Sequence, residues 1–338
     1  MISVLKKCFP LAGLLRAGLA ALALALAVAA PVRAASDAVA SYPNRPVHLL
    51  LPFPPGGVTD ATMRKIAERF QAVTGQNLLI QNKPGRTNAL GSLVNAEADG
   101  YTLSLVGRSQ MITAWLLGKD MPFDPVKDFT WIDTLVSSWF GLFVAADSPY
   151  RSVDDLLAAA RAKPGAVTYG SAFGVGGLTH APMHQFAQMN HVDMLYVPFK
   201  GDAESLRSLI GGEVDAVVAA GTAMPYVDSG RLRLLAWVSR DDHPKYPGVK
   251  TLRQLGYDVD AYSIVGLGGP KGMDPALVEK ISGIFRQILT EPETEQFLLG
   301  VFQHPEPTSP QAFSAWAQQQ LPKERATLEA FGLLDGKN

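Results

Sequence analysis

Cysteine is almost absent from this 338-residue chain: the one copy is Cys8. It stands in a leader that should be removed, so the exported chain is expected to carry no thiol. Disulfides, a thiolate nucleophile and cysteine metal sites are thereby excluded. Cys8 also precedes the apolar run, where a lipoprotein anchor could not use it. Positive charge is not in excess, with 30 Lys and Arg against 31 Asp and Glu. No basic block occurs, which argues against a nucleic-acid partner. Long apolar runs are limited to Leu19–Ala30, shorter than the about 20 residues that span a bilayer. The chain contains no Gly-x-Ser-x-Gly nucleophile elbow. It also lacks the Gly-Lys-Ser/Thr of a phosphate loop and the spacing of a dinucleotide fingerprint.

The N-terminus has the layout of a secretory signal peptide. Lys6, Lys7 and Arg16 precede the apolar run, and Val32-Arg33-Ala34 supplies small residues at a cleavage point after Ala34. No arginine pair precedes the run, so the general export route and a periplasmic location are expected. Removing residues 1–34 leaves 304 residues, enough for two domains.

The remaining sequence alternates short apolar strands with amphipathic helices. Strands are expected at Val47–Leu51, Asn77–Gln81 and Thr102–Val106. Between the first two lies a helix, Asp60–Val73, whose Met63, Ile66, Ala67, Phe70 and Val73 share a face. A second series opens with a helix capped by Ser152 and running to Ala162, with Asp154 and Asp155 in its first turn. Strands at Ala166–Tyr169, Met194–Val197, Val214–Ala219 and Leu232–Val238 follow, with helices Leu178–Met189 and Ala203–Ile210 between them. Two more helices are expected at Pro275–Leu289 and Pro310–Leu328. The fold class is therefore α/β, in two domains, each a mixed, mostly parallel sheet flanked by helices. Trp139–Ala145 and Tyr262–Leu267 read as crossings between the two series. That makes the first domain discontinuous, 42–140 plus 266–338, around a second domain at 141–265, in a clamshell.

Two segments share one design, a strand, a glycine-containing loop and a helix start. The first holds Phe53, Pro55, Gly56, Gly57, Thr59 and Asp60, with Thr59 or Asp60 as helix cap. The second holds Ser171, Phe173, Gly174, Gly176, Thr179 and His180. Exposed amides and the helix dipole make such termini anion sites. In an open sheet these loops lie beyond the strand ends where ligands bind. One loop from each domain suggests a shared anion clamp in which the glycines let the backbone approach. Arg108 and Ser109 follow the third strand and reach the same end of the sheet. The Arg108 guanidinium offers a planar fork for a second, distal carboxylate, unless it pairs with a protein acid such as Asp202 or lies in solvent. His180 and His184, four apart, could face a metal. With neither the intervening glutamate nor a third ligand, no metal and no cofactor are expected. Ser171 with His180 would be the only nucleophilic pair, and it lacks an orienting acid.

Several of these segments resemble the Bug-type receptors of tripartite tricarboxylate transporters. The likeness begins at Tyr42-Pro43-Asn44-Arg45-Pro46-Val47 and Pro52–Asp60. It continues through Asn82-Lys83-Pro84-Gly85, Asp99–Leu103, Phe123–Phe129, Lys163-Pro164-Gly165 and Ser171–His180. It ends with Val197-Pro198-Phe199-Lys200-Gly201 and Gly211–Asp215, covering the chain after the leader in order. The resemblance implies a monomeric periplasmic binding protein that holds a small carboxylate between two lobes. The ligand class would be a di- or tricarboxylate, an amino acid or an aromatic carboxylate. It adds Lys200, Gly201 and Asp202 to the site, and implies one large and one small membrane subunit as partners. Three places depart from the family pattern: Arg86-Thr87-Asn88, the Phe173 loop, and Ala219-Ala220-Gly221 where an acidic or amide residue is usual. The competing readings are a periplasmic hydrolase or lyase and a receptor used for signalling.

Overall fold

A computed structural model describes residues 39–84, 88–118, 123–172 and 174–334, with the backbone alone at Gln110. The expected signal peptide, Arg86-Thr87 and Phe173 lie outside the described residues. The chain divides into two units, Met1–Asn44 and Arg45–Asn338, and both sheets belong to the second.

The first series begins with β1 (Val47–Leu51), helix α1 (Val58–Thr74), β2 (Leu78–Asn82), α2 (Asn88–Val94) and β3 (Thr102–Gly107). β1 pairs in parallel with both β2 and β3. The face expected of the first helix is the one that packs: Met63, Ile66 and Phe70 are fully buried. β3 runs into a single π-helical stretch, Arg108–Thr113, and then α3 (Ala114–Leu117). Next come β4 (Phe129–Ser138) and, after Trp139 alone, β5 (Phe140–Ala145).

β5 opens the second sheet. It is followed by α4 (Val153–Ala162), β6 (Thr168–Ser171), α5 (His180–Met189), β7 (Leu195–Pro198), α6 (Asp202–Ile210), β8 (Ala216–Ala220), α7 (Met224–Asp228) and β9 (Leu232–Trp237). Ser152 caps α4 in a reciprocal capping box with Asp155. The chain then returns to the first sheet with β10 (Ile264–Pro270), α8 (Pro275–Leu289), α9 (Pro292–Gly300), β11 (Gln303–Pro305) and α10 (Pro310–Ala330).

The sheets have the orders β11-β4-β10-β3-β1-β2 and β7-β6-β8-β5-β9. Both are mixed and flanked by helices, but parallel pairing is not in the majority: β1–β2, β1–β3, β6–β7 and β6–β8 are parallel and the other pairs antiparallel. The reason is the route between sheets. β4 passes to β5 through one residue, with no helix to carry the chain back for a parallel entry. β4 escaped the sequence reading because it is buried on both faces, and so shows no alternation, with an aspartate at its centre. Asp133 is satisfied there by Ser282 Oγ at 2.5 Å, Arg286 Nη2 at 3.1 Å and the Thr308 amide at 2.7 Å. Phe140 pairs within the second sheet and Ile264 within the first. Trp139, between the sheets, is buried by packing rather than open to the cleft. Its Nε1 donates to Asp241 O, and its ring meets His243 and His304 at 4.5 and 4.6 Å.

Candidate functional site

The loop after β1 leads into an open helix start. Gly57 occupies the N-cap of α1 and no side chain caps it, so neither Thr59 nor Asp60 has the expected capping role. Asp60 sits in the first turn and reaches backwards instead, accepting the Gly56 amide at 3.0 Å. Arg64 binds both of its oxygens, at 2.9 and 3.1 Å, and Asn82 Nδ2 donates at 2.9 Å. The Arg64 guanidinium, with these amides, holds the Asp60 carboxyl well below the usual carboxylate range. Asn82 also donates to Phe53 O at 3.2 Å, so the Asn82-Lys83-Pro84 stretch braces the loop from beneath. Asp60 is thus a buried support, and the uncapped first turn at Val58 and Thr59 is what faces outward to the cavity.

That cavity has a volume of ≈ 190 Å³. The first series contributes Phe53, Val58, Thr59, Arg108 and Ser109. The ends of β4, β5 and β10 and the residues before β10 contribute Ser138, Phe140 and Tyr262–Val265, and the second series Leu178, Asp202 and Ala220–Thr222. Val301, Phe302 and Gln303 complete the wall from the C-terminal part. The lining is mostly apolar with a few placed polar groups, as small-molecule sites usually are. Gln303 is buried, accepts from Thr62 Oγ1 at 2.6 Å and donates to Ser138 Oγ at 3.1 Å. Its strand pairs with β4, 165 residues earlier in sequence, and carries no local signal, so sequence reasoning missed it.

Ala219-Ala220-Gly221, one of the departures from the family pattern, has a geometric reason at Gly221. A Cβ there would lie 2.2 Å from Phe302 Cβ, so only glycine lets the Phe302 side chain into the wall. Phe302 itself has φ +57°, a strained conformation for an aromatic residue.

Of the residues singled out in the sequence, Phe53, Thr59, Arg108, Ser109 and Asp202 line the cavity. Pro55, Gly56, Gly57, Asp60, Ser171, Gly174, Gly176, Thr179, His180, Lys200 and Gly201 are not in its wall. The second loop is turned inward. Its Gly176 amide donates to His180 Nδ1 at 2.9 Å, and Thr179 and Ser171 hydroxyls donate to Ala172 O, each at 3.1 Å. His180 packs on Tyr196 at 3.9 Å and on Phe331 at 4.7 Å. Burial pushes its imidazole down to about 4, so it is neutral at physiological pH. The end of α10 covers the loop: a Cβ on Gly176 would lie 2.9 Å from Leu333 and 3.2 Å from Leu328. No hydrogen bond joins Ser171 to His180 among the described residues. Nor does a group of three His, Cys, Asp or Glu fit for a metal occur among them, and the His180 and His184 rings lie 5.8 Å apart and tilted to each other.

Arg108 has a protein partner, but not Asp202. Its Nε donates to Glu324 Oε2 at 2.6 Å, and Glu324, on α10, is buried and also accepts from Thr113 Oγ1. Asp202 meanwhile accepts the Ala220 amide at 3.1 Å and the Thr222 hydroxyl at 2.9 Å.

A family model described as tripartite tricarboxylate transporter family receptor matches residues 62–333. The chain belongs to this family. A Cupriavidus necator relative, described as the UPF0065 protein in the gbd 5' region, is 34% identical over 323 residues, 94% of this chain and 96% of the relative. Among solved structures, R. palustris Rpa4515 with adipate superposes with a TM-score of 0.73 at 27% identity, covering 86% of this chain and 98% of that one. The periplasmic binding protein BugD superposes with a TM-score of 0.69 at 25% identity, covering 86% and 99%. Family and fold are those of solute-binding receptors. Within the tripartite tricarboxylate transporter receptors, this chain is one whose described second loop is closed over by its own C-terminal residues.

Proposed function

We propose that this receptor binds a small carboxylate in the ≈ 190 Å³ cavity and delivers it to the large and small membrane subunits of a tripartite transporter, without chemistry on the ligand. The observation that carries this reading is the convergence on one cavity of an uncapped α1 N-terminus and the Arg108 guanidinium. Open first-turn amides and the helix dipole favour an anion. A guanidinium adds further donors. The receptor works in the periplasm, after cleavage near Ala34. The two sheets act as lobes hinged at Trp139 and at the return chain between β9 and β10, near the expected boundaries 140/141 and 265/266. Phe53, Thr59, Arg108, Ser109 and Asp202 are the contacts at closure, and the remaining loop residues shape their backbone.

Mass spectrometry of the small molecules released from purified, undialysed protein tests the reading. A carboxylate should be recovered and should raise the melting temperature when added back. Stabilisation of about 2.7 kcal/mol is expected at one hundred times the dissociation constant. No stabilisation by the recovered compound or by any carboxylate in a screen would overturn it.

A further inference from the structure

The cavity wall carries two charged side chains among the described residues, Arg108 and Asp202, and their bonding is unequal. Arg108 donates through Nε to Glu324, so its charge is already matched by a buried carboxylate. Among the described residues Asp202 has no cation beside it. Both of its hydrogen bonds, from the Ala220 amide and the Thr222 hydroxyl, arrive at Oδ2. Oδ1 receives none among the described residues. An ionised carboxylate offers acceptor sites on both oxygens, so half of this group's capacity is open in a cavity it lines.

Counting Glu324, which pairs with Arg108 from behind the wall, the charges are thus one guanidinium against two carboxylates. A ligand with anionic groups at both ends would bring one of them against Asp202 or against a guanidinium already neutralised. Burial, the main influence on Asp202, also raises its carboxyl above the ordinary value, which marks a site that gains from a cation and loses from an anion. The unmet need at Oδ1 is a donor, and a charged nitrogen meets it best.

We propose that Asp202 Oδ1 is the specificity group for a cationic nitrogen, so that the ligand is an amino-bearing carboxylate and not a nitrogen-free dicarboxylate. The inference rests on the carboxylate-receptor reading and narrows it. The carboxylate meets Arg108 and the α1 N-terminus from the first sheet's side, and the ammonium meets Asp202 from the second's. A ligand with both groups would therefore join the two sheets at closure.

Matched pairs that differ only in the amino group test this. Titration calorimetry of the signal-free protein would compare aspartate with succinate and glutamate with glutarate. The amino-bearing member should bind about tenfold tighter or more in at least one pair, the size of a charge-assisted hydrogen bond. Asp202→Asn, whose side-chain oxygen can still accept from Ala220 and Thr222, should reduce that preference to less than about threefold without lowering the melting temperature. A dicarboxylate that binds as tightly as its amino partner overturns the proposal, as does an unchanged preference in Asp202→Asn. If none of the four binds, the carboxylate released from the purified protein decides: a basic nitrogen in it supports the inference and its absence overturns it. Release of no carboxylate, with no binding, removes the receptor reading itself and the inference with it.

Discussion

Arg108→Ala should strand Glu324. The two groups are 216 residues apart in sequence and meet at 2.6 Å, with side-chain exposures of 19% and 3%. Removing one partner of a buried pair costs about 3–5 kcal/mol, because the other charge is left desolvated. Arg108 borders the cavity, so water could enter the space it vacates, and Thr113 would still donate to Glu324. The lower end, about 3 kcal/mol, is therefore the expectation. For a chain of this size each kcal/mol lowers the melting temperature by about 2 °C, giving a drop of about 6 °C. Urea unfolding of Arg108→Ala, Glu324→Leu and the double variant forms the assay. The double variant should regain most of the lost stability, since replacing a whole buried pair by apolar groups is close to neutral. A loss below about 1 kcal/mol in Arg108→Ala, or losses that simply add in the double variant, would refute the reasoning. Arg108→Ala should also weaken carboxylate binding, which a comparison with Arg108→Lys at equal stability would separate from the folding effect.

Gly176→Val should cost folding more than selective affinity, because the residue has φ +72° and its Cβ would press on Leu333; an unchanged melting curve would disprove this packing. His180 is buried and neutral, with its imidazole pushed down to about 4. Between about pH 6.5 and 4 the unfolded chain takes up a proton the native state refuses, so stability should fall by about 3 kcal/mol as pH drops through that window. His180→Gln should flatten this slope in urea titrations, and an equal slope would rule out His180 as its source. Asp60 contributes with the same sign in a lower window: its depressed carboxyl stabilises fully above about pH 5, and that stability is lost as pH falls below the unfolded value near 3.9. Asp60→Asn should therefore narrow the stability gap between pH 5 and pH 2 relative to the parent, and a gap of the same size would contradict the Arg64 contact. Closure of the two lobes should reduce the radius of gyration in small-angle scattering on adding a confirmed tight ligand, and an invariant radius would exclude the hinge.

Local rules in the sequence determined much of the architecture. β1 and α8 have the bounds their patterns imply, because a strand of consecutive apolar residues and a helix with one apolar face announce themselves within a few residues. The cap at Ser152 and the residues buried on α1 follow from the same short-range logic. The family, too, was legible, since its motifs lie in order along the chain. Among the candidate residues, those on elements leading straight to the strand ends, Phe53, Thr59, Arg108, Ser109 and Asp202, came to the cavity wall.

Tertiary structure decided the rest, through contacts between residues far apart in the chain. The sequence shows an open glycine loop at Gly174–Gly177, but only the fold brings Leu328, Phe331 and Leu333 back over it and spends the Gly176 amide on His180. Arg108 finds Glu324 rather than Asp202, and Asp202 is left with one oxygen open among the described residues, because α10 returns beside the π-helical turn after β3. β4 and β11 carry no periodic pattern because burial on both faces, or a length of three residues, removes alternation. Helix and strand patterns are set by neighbours in sequence, whereas the lining of a cavity is set by which distant segments exclude water together, and no local pattern encodes that.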